Sequence, residues 1–390
     1  MYTRIATLPD HSFFLLGPRG SGKTTWLRRV LADARWYDLV HDAELWRLMR
    51  APEVFRAEVL ALPAGTWVVV DEVQRFPGLV NEVQALITER GQDIRYALTG
   101  SSARKLRRGE VNLLPGRAVQ RSFHPLTARE LGADFDLDRV LRFGGLPAVQ
   151  ATGGTEGRVD LLEAYVAGYL SQEIRAEAAV RSLDAFTRFL DVAALANAQV
   201  VNVASLARDA GVARPTVQGW FDVLTETMLG VWLPSWQPRV RVRETGHPKF
   251  FFFDTGVVRT LTGRVRDPIT AEERGSLLET WLLHELRAYQ EVARTGGRLS
   301  YWRTPQGVEV DFVWSRGDHH VAIEVKASAR WRPEYLSGLN ALLATGLLAR
   351  AYCVYGGDVA MRFGEVEVLP VAEFLARLQA GGVLEPGGGG

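Results

Sequence analysis

Gly17-Pro18-Arg19-Gly20-Ser21-Gly22-Lys23-Thr24-Thr25 follows the apolar run Phe13-Phe14-Leu15-Leu16 and leads into Trp26-Leu27-Arg28-Arg29-Val30-Leu31. The pattern G-x-x-x-x-G-K-[ST], set between a buried-strand run and a helix-forming run, is the setting of a phosphate-holding loop. Gly17, Gly20 and Gly22 let the backbone curl so that successive N–H groups face an anion at the positive end of the helix that follows. Lys23 is placed to reach the outer phosphates of a nucleoside triphosphate, and Thr24 to offer its hydroxyl to Mg²⁺. Pro18, Arg19, Ser21 and Thr25 complete the stretch expected to line the nucleotide.

Such a loop needs a carboxylate at the end of a neighbouring strand. Trp67-Val68-Val69-Val70-Asp71-Glu72 supplies one: four apolar residues read as a strand buried on both faces, ending in two acids. Asp71 is the expected magnesium partner, and Glu72 is placed to polarise the attacking water. A further strand candidate, Trp36-Tyr37-Asp38-Leu39-Val40, lies between the two motifs, and Ile94-Arg95-Tyr96-Ala97-Leu98 runs into Thr99-Gly100-Ser101-Ser102. Residues 103–110 hold four cations against one anion, which a solvated helix face explains as well as a phosphate contact does. Arg117, after Leu114-Pro115-Gly116, is a candidate arginine finger for a neighbouring subunit's nucleotide.

Bulk properties bound the rest. The 390 residues, 47% hydrophobic and 23% charged, suit a soluble protein of two or three domains. A net charge of +1 advertises no basic field, so any nucleic-acid contact must come from local patches. The single cysteine, Cys353, excludes a disulfide framework and a cysteine-based zinc site, and fits a reducing cytoplasm. The start, MYTRIATLPDHSF, lacks a signal-peptide layout, and no uncharged apolar stretch reaches the roughly 18–20 residues of a membrane span, so no membrane role is expected. The closing glycine run is expected to be a flexible tail.

Downstream, Asn202-Val203-Ala204-Ser205-Leu206-Ala207-Arg208-Asp209-Ala210-Gly211 and the stripe Val217, Phe221, Leu224, Met228 follow helix-turn-helix grammar. Arg239, Arg241 and Arg243 alternate on one expected strand, and Lys249-Phe250-Phe251-Phe252-Phe253 reads as its return, which gives a winged-helix outline with a basic wing. Arg208, Arg214 and the wing arginines are the expected phosphate contacts to DNA, although such domains also pack on neighbouring domains instead.

Near the C-terminus, Val308-Glu309-Val310-Asp311-Phe312-Val313-Trp314 and Val321-Ala322-Ile323-Glu324-Val325-Lys326 alternate with period two across a hairpin-sized gap. Asp311 and Glu324 can then face one another, with Lys326 beside Glu324, and the amphipathic run around Glu279 can bring a third acid. Acids that hold Mg²⁺ or Mn²⁺ beside a lysine suit metal-assisted phosphodiester hydrolysis. A solvated hairpin and a non-cleaving version of the same site are compatible with the same residues.

Taken in order, GPRGSGKTT, WVVVDEVQR, LTGSS, LLPGR, FGGLP, the helix-turn-helix and LLETWLLHEL…VEVDFVW…AIEVK resemble the archaeal-type, STAND-like AAA+ ATPases that carry a C-terminal PD-(D/E)xK restriction-endonuclease-like domain. The resemblance implies an α/β multidomain fold: a P-loop AAA+ core over 1–132, a helical lid over 133–200, a winged helix over 201–265, and a nuclease-like α/β domain over 266–385, before the tail at 386–390. It also implies ATP and Mg²⁺ as cofactors, Ser101 or Ser102 as a γ-phosphate sensor, and Gly145 and Pro147 of FGGLP against the adenine. The expected function is ATP hydrolysis coupled to DNA, with assembly of a homo-oligomer of six or fewer copies. Its rival is a nucleotide-switched regulatory ATPase whose nuclease-like domain binds protein partners without cleaving.

Overall fold

The computed structural model describes residues 2–101, 114–170, 183–237 and 246–385. The chain divides into two compact units, Met1–Leu126 with Asp222–Leu229, and Thr127–Phe221 with Gly230–Gly390.

The first unit is built on a five-stranded parallel sheet of order β2-β3-β4-β1-β5, from β1 (Phe13–Leu16), β2 (Arg35–Asp38), β3 (Trp67–Asp71), β4 (Arg95–Gly100) and β5 (Val119–Ser122). The three inner strands β1, β3 and β4 read as nearly unbroken apolar runs because helices cover both faces. Phe13, Leu15, Val69 and Ala97 pack on Trp26 and Leu27 of helix α1 (Lys23–Val30). The alternate residues Phe14, Leu16, Val68, Val70, Tyr96 and Leu98 bury against a second layer. That layer comes from α2 (Asp42–Arg50), α3 (Pro52–Leu60) and α4 (Gly78–Arg90). Fully burying each such side chain contributes roughly 1.5–3 kcal/mol, so the strand that carries the loop is packed on both faces and paired on both sides.

The second unit holds two sheets. Helices α5 (Leu137–Phe143), α6 (Thr155–Ala164) and α7 (Leu183–Leu195) precede β6 (Gln199–Val200), then α8 (Val203–Asp209) and α9 (Arg214–Glu226), which belongs to this unit up to Phe221. Asn202 caps α8 by accepting the amides of Ala204 and Ser205, and the left-handed Gly211 lies in the tight turn to α9. β7 (Gly230–Leu233) and β8 (Lys249–Phe252) add to β6 as a small antiparallel sheet of order β6-β8-β7. Its aromatic core sets Phe221 against Phe250 at 4.7 Å and Trp232 at 4.8 Å between ring centroids, with Phe189 of α7 at 5.0 Å. Edge-to-face pairs of this kind add about 0.5–1.5 kcal/mol each beyond area burial.

Asp254 then caps α10 (Thr255–Leu261) and reaches back to the FGGLP turn. Its Oδ1 accepts the Val257 amide at 3.1 Å and its Oδ2 the Gly145 amide at 2.7 Å. Gly144 is left-handed at φ +74°, and a Cβ there would lie 1.9 Å from Asp254 Oδ1, so only glycine fits this close approach.

Helix α11 (Ala271–Ala293) begins with a capping box between Thr270 and Glu273 and leads to a six-stranded mixed sheet of order β13-β14-β12-β11-β10-β9. The strands are β9 (Arg298–Arg303), β10 (Glu309–Arg316), β11 (His319–Lys326), β12 (Arg350–Tyr355), β13 (Met361–Phe363) and β14 (Val366–Pro370). One face packs Val310, Val313, Ala322, Ala351, Cys353 and Val368 under Leu339 and Leu342 of α12 (Ser337–Leu343), and α13 (Val371–Gln379) closes the chain. The β10–β11 hairpin pairs Phe312 with Ile323. Against β9, however, β10 slips between Val310 and Val313, a bulge that contains Asp311. The strict period-two alternation expected of β10 is therefore broken where its acid lies, as bulges do when they re-aim a side chain.

Candidate nucleotide and acid–lysine sites

In the first unit the loop after β1 and the turn after β3 converge. Gly20 and Gly22 are left-handed at φ 77° and 93°, which turns the backbone into the N-terminus of α1. Lys23 is buried, and its Nζ donates to the carbonyls of Gly17 at 2.7 Å and Pro18 at 3.1 Å, which folds the ammonium over its own loop. Pro18 is buried, Thr25 and Arg19 face solvent, and the buried Ser21 hydroxyl has no hydrogen-bond partner among the described residues. An orphaned hydroxyl in a loop of turned amides is what a phosphate-holding cradle presents.

Thr24 Oγ1 donates to Asp71 Oδ2 at 2.8 Å, and Thr99 Oγ1 donates to Asp71 Oδ1. Burial pushes the Asp71 carboxyl up, while the Thr99 and Thr24 hydroxyls pull it back. Glu72 takes the left-handed conformation at φ 56°, and its amide donates to Thr99 Oγ1 at 3.0 Å. That turn ends β3 and swings the Glu72 side chain to Gln74 and Ser101: Gln74 Nε2 donates to Glu72 Oε2, and Ser101 Oγ donates to the same oxygen at 3.2 Å. Gln74 Nε2 also reaches Ser101 Oγ at 3.1 Å.

The structure thus brings Lys23, Thr24, Asp71, Glu72 and Ser101 to one end of the parallel sheet. Thr99 and Gln74 belong to the same network and were not singled out from sequence; the signal for each was its place beside a motif, in LTGSS and DEVQ. Arg4 was missed as well. Its guanidinium donates to the carbonyls of Ser21 at 2.6 Å and His124 at 2.5 Å and stacks over Phe123 at 4.1 Å, which braces the loop from outside. Arg117 is exposed in the turn before β5. Because β5 runs parallel to β1 with Val119 beside Phe13, Arg117 lies at the sheet end opposite the loop that follows Leu16. It is therefore not grouped with the nucleotide residues of its own chain. Ser102 and residues 103–110 lie outside the described residues.

In the second unit, the Gly145 amide is taken by Asp254, and Pro147 opens the helical turn Pro147–Ala151. The FGGLP turn thus has a folding role in place. Arg208 and Arg214 are exposed, at the end of α8 and the start of α9. Arg239, Arg241 and Arg243 lie outside the described residues, as does the tail at 386–390.

The C-terminal acids come together around a residue that the sequence reading assigned only to a strand. Lys249 of β8 is 3% exposed, and its Nζ lies 2.5 Å from Glu309 Oε1, 3.3 Å from Glu279 Oε2 and 3.5 Å from Asp311 Oδ1. Burial alone lowers a lysine, but Glu279, Asp311 and Glu309 outweigh it and hold Lys249 above its ordinary value. Asp311 Oδ2 accepts the Val325 amide at 2.9 Å, and Lys326 Nζ donates to Glu324 Oε1. Glu324 Oε2 is buried without a hydrogen-bond partner among the described residues. Burial and the neighbouring Asp311 push Glu324 well up and Glu279 up to about 8. The same crowding of carboxylates raises the Cys353 thiol, already raised by burial, to about 12.

Glu279, Asp311, Glu324 and Lys326 are therefore neighbours, but among the described residues no group of three or more His, Cys, Asp or Glu side chains is set to hold a metal ion. Of the oxygens expected to ligate one, Glu279 Oε2, both Asp311 oxygens and Glu324 Oε1 already hold Lys249, the Val325 amide and Lys326, which leaves Glu324 Oε2 without a partner among the described residues, so the donors as arranged do not fit a divalent cation. The signal for Lys249 was a cation heading the otherwise apolar strand Lys249-Phe250-Phe251-Phe252.

A parallel sheet with a phosphate loop after its first strand and an acid pair at the end of its third gives the first unit the architecture of a P-loop nucleotide-binding domain. Comparison with known families agrees: residues 10–132 match a family described as an AAA domain. Residues 134–267 and 274–374 match two domains of unknown function, DUF8612 and DUF4143. Over 351 residues the chain is 27% identical to the uncharacterized proteins Rv2008c of Mycobacterium tuberculosis and Mb2031c of Mycobacterium bovis, an alignment that spans 88% of this chain and 76% of each relative. Among solved structures, a Thermotoga maritima RuvB variant aligns over 57% of this chain and 82% of its own, with 17% identity and a TM-score of 0.30. A global agreement that low carries no argument about this chain. Among the described residues no helix is long and apolar enough to cross a membrane.

Proposed function

We propose that the chain is an ATP-hydrolysing AAA+ protein that acts on DNA in the cytoplasm, with a winged helix and a restriction-endonuclease-like domain that binds the nucleic acid. The observation that carries the ATPase part is the convergence of Thr24, Asp71, Glu72 and Ser101 through side-chain hydrogen bonds at one sheet end. The loop N–H groups from Arg19 to Thr25 and the Lys23 ammonium hold the phosphates. Thr24 and Asp71 would hold Mg²⁺, which would neutralise charge on the phosphates. Glu72 accepts a hydrogen bond from the attacking water, and Gln74 and Ser101 fix the carboxylate that does so. Arg117, remote from its own loop, serves a neighbouring copy in a homo-oligomer.

The DNA part rests on the α8-turn-α9 pair with the β6-β8-β7 sheet, on the exposed Arg208 and Arg214, and on buried acids with a lysine at the end of a β-hairpin. Phosphate contacts of this kind give affinity that falls steeply with salt. One observation favours a second reading. Lys249 occupies the acids of the C-terminal cluster, as a non-cleaving domain in a STAND-like regulatory ATPase would have it.

A matched assay tests both readings: DNA binding and cleavage with Mg²⁺ or Mn²⁺, with and without ATP, on wild type and Lys326→Ala. Salt-sensitive binding supports the DNA reading, and cleavage lost in Lys326→Ala would make the domain a working nuclease. Absence of DNA binding at low salt, with ATP turnover intact, would replace the DNA reading by the regulatory one.

A further inference from the structure

The acid cluster of the second unit contains a cation of its own. Four buried or half-buried carboxylates, from Glu279, Glu309, Asp311 and Glu324, face two lysines, with Arg303 at 3.5 Å from Glu309 on the rim. Of the two lysines, Lys326 reaches only Glu324, whereas Lys249 touches the other three acids at once.

Lys249 is also held firmly from behind. It lies on the central strand of the small sheet, paired with Val200 on one side and Leu233 on the other. The residues just before it are anchored too: the His247 carbonyl accepts from Tyr301 Oη at 2.5 Å, and the Pro248 carbonyl accepts the Val201 amide at 3.0 Å. The ammonium stands 5.5 Å from the centre of the Tyr301 ring, whose π face favours a cation. A desolvated ammonium among three carboxylates and an aromatic face occupies the place that a hard divalent ion would need, since both use the same carboxylate oxygens. The buried Glu324 Oε2, without a hydrogen-bond partner among the described residues, remains as an unused oxygen donor of the cluster.

We propose that Lys249 is the resident cation of this cluster and the residue that sets its affinity for divalent metal. With Lys249 in place, the acids exclude Mg²⁺ and Mn²⁺; without it, Glu279, Asp311 and Glu324 become oxygen ligands for one such ion. The proposal rests on reading the cluster as nuclease-like, and it places control of metal entry on the small sheet, outside the hairpin that bears the acids.

The test is Mn²⁺ binding to the full chain without nucleotide or DNA, followed by electron paramagnetic resonance. Asp71→Asn in every sample silences the loop site. The variants are Lys249→Met, the charge-conserving Lys249→Arg, and Lys249→Met combined with Glu309→Gln, which removes one cation and one acid and so spares the fold an unbalanced buried charge. We expect no saturable site in the reference protein or in Lys249→Arg. One site at least tenfold tighter should appear in a folded Lys249→Met or in the double variant, and adding Glu324→Gln should remove it. A reference protein that already binds one Mn²⁺ lost on Glu324→Gln overturns the proposal. A double variant that melts cooperatively yet binds no more tightly than the reference also overturns it. Because no DNA is present, neither result bears on DNA binding, which the salt-dependent isotherm decides separately.

Discussion

Ser101 and Glu72, 29 residues apart in sequence, share a hydrogen bond of 3.2 Å from the Ser101 hydroxyl to Glu72 Oε2. The oxygen also receives Gln74 Nε2, so the carboxylate of the expected water-polarising residue is aimed by groups from two different turns. Glu72→Gln should abolish ATP turnover while nucleotide binding persists. Ser101→Ala should lower kcat by about 10–100-fold with KM changed less, since loss of a positioning bond weakens general-base work more than binding. Steady-state kinetics with parallel nucleotide-binding isotherms check both. Unchanged kcat in Glu72→Gln would end the assignment.

The close approach of Gly144 to Asp254 makes a stability prediction. Any side chain at Gly144 meets the Asp254 carboxylate, and the left-handed backbone strains it further. Gly144→Ala should destabilise the second unit by about 2–4 kcal/mol, the range of overpacking added to a backbone penalty. Chemical denaturation reads this directly, and a loss below 0.5 kcal/mol would mean that the turn relaxes (a surface-like response).

Glu285 of α11 gives a pH dependence of defined sign. It is buried and accepts the Ala128 amide at 2.6 Å, and burial pushes its carboxyl up to about 8, above the ordinary 4.5. The folded state therefore favours the neutral acid. Its stabilising contribution is complete below the unfolded value of 4.5 and is lost as pH rises towards 8. Glu285→Gln keeps an oxygen for Ala128 and cannot ionise. The variant should match wild type near pH 4.5 and exceed it at pH 8 by a few kcal/mol (one pKa unit is about 1.4 kcal/mol). Thermal melts across that range test it, and parallel Tm curves for the two proteins would contradict the assignment.

Arg208 and Arg214 offer a test of DNA contact that does not depend on cleavage. If both meet phosphates, each Ala variant should weaken binding of unrelated duplexes alike and reduce the slope of log K against log salt by about 1. Slopes equal to wild type would assign these arginines to solvent.

How much of this was legible in the sequence differs between the two sites. The loop Gly17–Thr25 and the acids Asp71 and Glu72 are local patterns: strand, turn and helix propensities are fixed within a few residues, and the chemistry sits on the turn itself. The amphipathic runs around β10 and β11 likewise indicated a hairpin, because side chains alternate with a period of two. Gln74 fixes Glu72 from two residues along the same turn, but the contacts from Thr99 and Ser101 came from further away, and only the pairing of β3 with β4 supplies them.

The C-terminal cluster shows the limit more sharply. Sequence by itself determined that Asp311, Glu324 and Lys326 lie on one hairpin, since adjacent strands and a short turn leave little choice. Only the tertiary structure decided what the acids hold. β10 shifts register against β9 between Val310 and Val313, the stretch that holds Asp311. The packing of β8 brings Lys249 from some 60 residues upstream into the acids, guided by no local periodicity. A buried carboxylate must find a cation or keep its proton, and which cation reaches it is a property of the assembled sheets rather than of any stretch of chain.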